Sequence, residues 1–93
     1  MIPLTTKKFI ESLIDYYISE AASYKQLAKS YSEEAGDITS TAFGIILGCI
    51  YSGFLQAYLN QKQKPSLEDT QEFTKLIKLR AAQIKRSILD AEE

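Results

Sequence analysis

Glu20 is the residue best placed to do chemistry: it lies four residues from both Tyr16 and Tyr24. On a helix that spacing stacks a carboxylate between two phenols. Desolvation there would raise its pKa and let it hold a proton or a polar ligand, whereas at the rim of the apolar arc it would simply reach water. A second candidate is cationic. Lys75, Lys78, Lys85 and Arg86 share one outer arc of a helix, and no acid occurs between Phe73 and Leu89. Such an arc can follow a phosphate backbone, and a solvated helix face has the same composition. The acids Glu33, Glu34 and Asp37, and then Glu68, Asp69 and Glu72, cluster where helix ends would need caps. Neither cluster has the spacing of a calcium loop, so no metal is expected. The chain has no histidine, which excludes an imidazole general base, a His-containing zinc or di-iron site and a side-chain Ser-His-Asp triad. No glycine-rich phosphate loop occurs, no cofactor is expected, and the chain reads as a non-enzyme.

These side chains must be carried by helices. With 93 residues, 45% of them apolar, there is material for one domain and one core. A net charge of −1 argues against a chain devoted to wrapping polyanions. Turn chemistry concentrates at Gly36-Asp37 and between Asn60 and Ser66. The two joints leave three helical stretches, at about 6–35, 38–62 and 66–91. In the first, Phe9, Ile10, Leu13, Ile14, Tyr17, Ala21, Tyr24, Leu27, Ala28 and Tyr31 repeat with a helical period. Gly36 suits the left-handed position that ends a helix, and Asp37 can cap the next one. In the third, Ser66 and Asp69 have capping-box spacing. The stripe Phe73, Ile77, Ala81, Ile84, Ile88 and Ala91 follows, and the terminal Asp90, Glu92 and Glu93 sit at the unfavourable end of the dipole, where fraying is expected.

The middle stretch carries the most information. From Ile38 to Gln61 there is no ionisable acid or base, and large apolar residues point in nearly every direction, so a helix buried all round is expected. Two sister helices cannot cover it. The fold expected is therefore all-α: an up-down-up three-helix protomer assembling into a dimeric or higher bundle. Ser40, Gly44, Gly48 and Ser52 form a row at i+4 spacing, with Gly53 and Ala57 in a second short row. Together they suit close approach of two helix backbones, as a self-association seam. A span of lipid by residues 38–61 is the alternative cover, although the strongly apolar part has only about fourteen residues, against roughly twenty needed. The lone Cys49 and the lack of a secretory pattern in the first thirty residues suggest a reducing, cytoplasmic setting.

The run Ala28-Lys-Ser-Tyr-Ser-Glu-Glu-Ala-Gly-Asp37, followed by Ala42 in a small-residue helix, resembles the helical hairpin of HEPN-type domains and of short archaeal helical families. HEPN ribonucleases use an Arg and a His, and this chain has no His, so no nuclease residue carries over. The resemblance implies a non-catalytic, dimerising helical module.

Overall fold

In the computed structural model, which describes residues 1–92, the chain is all-helical. Five helices follow in order: α1 (Leu4–Ser19), α2 (Ala21–Ser30), α3 (Ser32–Ala35), α4 (Ile38–Leu59) and α5 (Leu67–Asp90). The single helix expected over about 6–35 is thus three, interrupted at Glu20 and Tyr31. Both residues have left helical geometry for the bridge region, with φ/ψ of −104/17° and −114/19°. A serine precedes each break: Ser19 Oγ donates to the Tyr16 carbonyl at 2.6 Å and Ser30 Oγ to the Gln26 carbonyl at 3.3 Å. Such back-bonding competes with the helix ladder and bends it. Packing explains why the bend is useful. A straight helix over residues 4–35 would run about 48 Å, whereas the longest dimension of the molecule is 38 Å.

Bending also turns the apolar stripe. Ile10, Ile14, Ala21 and Ala28 are buried and Leu13, Tyr17 and Tyr24 half-buried, but Phe9, Leu27 and Tyr31, expected on the same stripe, lie exposed. Small Ala28 on α2 and Ala42 on α4 are both fully buried, which permits the close packing of α2 on α4.

The predicted side-chain cap of α4 is present: Asp37 Oδ2 accepts from the Ser40 N–H at 2.7 Å. Gly36 does end α3 with a positive φ of 93°, but its ψ of −127° lies outside the left-handed helical region expected. Ser66 and Asp69 exchange both bonds of a capping box, at 3.0 and 3.2 Å. At the other end of α5, where fraying is expected, Lys25 Nζ donates to the carbonyls of Leu89 (3.4 Å) and Ala91 (3.1 Å). That cation supplies the positive charge a helix C-terminus favours, and helix persists to Asp90. Glu93 lies outside the described residues.

The helix α4 is central and packs against all four others. Its buried residues, Ala42, Ile46, Ile50, Phe54 and Tyr58, make a single i+4 row. Phe54 stacks on Phe73 of α5 with centroids 4.6 Å apart, and Tyr58 meets Phe54 edge-on at 5.3 Å. The expectation of a helix buried all round is therefore corrected. One face is open, and Ser40, Gly44, Gly48, Ser52 and Gln56 form an uncharged, small and polar exposed row along it.

Candidate functional site

The open face of α4 follows directly from its sequence. Residues spaced by four share a side of a helix, so the core row ending at Tyr58 leaves Ser40, Gly44, Gly48 and Ser52 on the opposite flank. All four are exposed. A Cβ built at Gly44 or Gly48 meets nothing within 4 Å, so no part of the chain fills these notches.

The second expected row behaves differently. Gly53 faces α1: a Cβ there would stand 2.5 Å from Leu13 Cδ1. Ala57 joins it beside Thr5, Thr6 and Phe9. At Gly53 the Leu13 side chain of α1 takes up the space beside the backbone, while Gly53 and Ala57 together line a groove of about 370 Å³ between α1 and α4.

Beside the notches stands a row that sequence reasoning does not single out. Tyr51, Leu55 and Leu59 are 39%, 37% and 63% exposed, again at i+4 spacing. Their spacing is visible in the sequence, but the uniform lack of charge from Ile38 to Gln61 conceals which side faces out. The Tyr51 ring leans on Phe73, 5.6 Å away, so it is rooted in the core while its outer edge is free. Two grooves flank this row between α4 and α5. One, of about 350 Å³, has Gly44, Gly48 and Tyr51 on one wall and Thr70 and Thr74 on the other, with Phe73 beneath. The next, of about 510 Å³, runs past Tyr51, Leu55 and Leu59 towards Pro65.

The cationic arc is at the surface: Lys75, Lys78, Lys85 and Arg86 are all exposed, with Leu79 among them 81% exposed. Arg86 is 3.8 Å from Asp90, and Lys85 lines a groove together with Ser40 and Phe43. Arg80, which is not on the arc, pairs with Asp15 at 2.6 Å, tying α1 to α5. That pair is partly solvated, which limits it to about 1 kcal/mol or less.

The Glu20 site is not an enclosed carboxylate. Glu20 is half-buried at the α1–α2 break, where its N–H donates to the carbonyls of Tyr16 and Tyr17, and Tyr16 is 53% exposed. The Glu20 N–H keeps its i−4 bond to the Tyr16 carbonyl, while the Glu20 carbonyl accepts from the Ser23 N–H, and Glu20 is close enough to Tyr24 to add to the rise in pKa that burial gives that hydroxyl. The aromatic contacts run instead from Tyr16 to Tyr17 (5.1 Å) and from Tyr17 to Tyr24 (5.4 Å). Burial first, and then the neighbouring Cys49 thiol, push the Tyr17 and Tyr24 hydroxyls above the usual phenol range. Among the described residues no three acidic, cysteine or histidine side chains gather as metal ligands would.

No protein-family model, curated protein or solved structure matches the chain.

Proposed function

We propose that the protein is a non-catalytic helical interaction or scaffold module that associates with itself through the open face of α4. In this reading the bent α1–α3 leg, α4 and α5 form an up-down-up protomer that builds a dimeric or higher bundle in the cytoplasm. One observation carries the reading. An uncharged helix presents three large apolar side chains, Tyr51, Leu55 and Leu59, beside glycine notches that nothing in the chain fills. Surfaces of that kind, contiguous and apolar, mark contacts with other macromolecules. Interior glycines cost about 1 kcal/mol each in helix propensity, and close approach of a second backbone offsets that cost. The hairpin resemblance to HEPN-type domains implies the same dimerising role.

The cationic arc supports a second reading, as a nucleic-acid contact, because its four charges and Leu79 are exposed together. Binding of that kind collapses between low and moderate salt. Lipid is a third cover for α4, which is long and apolar enough to cross a membrane, with 22% of its most apolar 18-residue window buried. Its exposed row of Ser40, Ser52 and Gln56 suits lipid poorly.

Light scattering over a dilution series tests the proposal. The unsubstituted chain should be a dimer or larger when concentrated and dissociate on dilution, and Gly48→Leu, with unchanged helicity, should be monomeric throughout. A chain that is monomeric at every concentration overturns the proposal, as does one that stays with membranes until detergent is added.

A further inference from the structure

The open face of α4 is complementary to itself in one register. Its large exposed side chains occupy the C-terminal half, at Tyr51, Leu55 and Leu59, and its open glycines and Ser40 occupy the N-terminal half, with Ser52 the one further small exposed position beyond them. From these observations we infer that two copies pair antiparallel across α4, with Tyr51 opposite the partner's Gly48, Leu55 opposite the partner's Gly44 and Leu59 opposite the partner's Ser40. The inference rests on the self-association reading above and adds the identity and direction of the partner helix.

The register is tightly constrained. In each of these pairs the residue numbers total 99, so one two-fold axis between residues 49 and 50 satisfies all three at once. The half-buried Leu47 obeys the same rule, falling opposite Ser52. A two-fold interface requires this property, because every contact from one copy to the other is made again in reverse. The parallel alternative sets glycine on glycine in one half and leucine on leucine in the other. No single interaxial distance serves both halves, and close packing tolerates neither the void nor the overlap. The pairing also brings no like charges together along α4, since residues 38–61 carry none.

Area decides how much of the molecule takes part. The helix is about 33 Å long, so a strip one helix wide gives roughly 700–800 Å² for the pair, too little for a specific dimer. The molecule is 19–23 Å across. A footprint of that width gives roughly 1,250–1,500 Å², within the range of stable interfaces. The pairing therefore requires the α5 wall at Thr70 and Thr74, across the groove from Gly44, Gly48 and Tyr51, to take part in the contact. The groove floored by Phe73 is where the partner's side chains enter.

Directed cross-linking tests the register in a Cys49→Ser background, with helicity confirmed for each variant. Chains carrying Gly44→Cys and Leu55→Cys, distinguished by mass, are oxidised each alone and as a mixture. The mixture should form a disulfide-linked heterodimer and neither chain alone should cross-link, because two copies of position 44 would be about 16 Å apart along the axis. Self-cross-linking of Gly44→Cys shows parallel packing and overturns the register while leaving self-association standing. A chain that dimerises by light scattering without any pair cross-linking likewise overturns the register alone. An unsubstituted chain that is monomeric in water overturns both the register and the reading beneath it.

Discussion

The three glycines of α4 should respond unequally to the same substitution, and the sizes follow from their surroundings. Gly44 and Gly48 lie in a helix interior with no atom within 4 Å of an added Cβ. Alanine at either position gains helix propensity, about 0.8–1 kcal/mol, with nothing to oppose it. For a domain of this size that corresponds to a rise in Tm of roughly 4–8 °C per substitution. At Gly53 the propensity gain is the same, but the new methyl would stand 2.5 Å from Leu13 Cδ1. Leu13 must leave its rotamer well, at about 0.5–1.5 kcal/mol, so the two terms nearly cancel. Gly53→Ala should change Tm little in either direction. The measurement is thermal unfolding followed by circular dichroism at high dilution, where self-association cannot add to stability by mass action. A fall in Tm for Gly44→Ala or Gly48→Ala would show that something within the protomer fills the notches, and the open face would be lost with it. Gains for Gly53→Ala as large as for Gly48→Ala would deny the Leu13 contact.

Two pH responses follow from named groups. The Ser40 backbone N–H, then its hydroxyl, hold the Asp37 carboxyl below its ordinary range. Its folded pKa is depressed, so its contribution is complete above about pH 4 and is lost as pH falls through the folded value; Asp37→Asn should flatten the acid slope of Tm, and an unaltered slope would remove the cap from the explanation. Burial, reinforced by the nearby Asp69 carboxylate, pushes the Tyr58 hydroxyl up to about 12. The unfolded chain ionises this group near pH 10, so stability should decline between about pH 10 and 12, and Tyr58→Phe should delete a late step from the tyrosinate absorbance titration. All the tyrosines titrating together near 10 would contradict that placement of Tyr58.

Chemistry is legible in the sequence where it is local. Asp37, Ser66 and Asp69 act on backbone groups within a few residues, so their roles can be read from spacing, and the structure has them. The breaks at Glu20 and Tyr31 are not legible, because Ser19 and Ser30 bend a helix only when the rest of the core rewards the bend. That depends on α2 reaching α4 through Ala28 and Ala42, a tertiary condition. A helix drawn without the breaks puts Phe9, Leu27 and Tyr31 inside. The notches at Gly44 and Gly48 can be found from small residues at i+4, whereas Gly53 belongs to a different partner, Leu13, forty residues earlier. Tyr51, Leu55 and Leu59 escape sequence reasoning for a physical reason. A charge-free helix offers no polar side to mark its wet face, and only the packing of α1, α2 and α5 chooses it.

The two joints of the chain differ in what they ask of a growing polypeptide. Gly36-Asp37 is a tight corner that lets α2 and α4 pair while only the first sixty residues exist. The ties of α5 reach much further back, from Arg80 to Asp15 and from Ala91 to Lys25. Contacts between neighbours in sequence close sooner than those across long loops. On a ribosome, then, the inner side of Phe54 waits uncovered until Phe73 emerges, and this interval is when the nascent chain is most open to sticking to its neighbours.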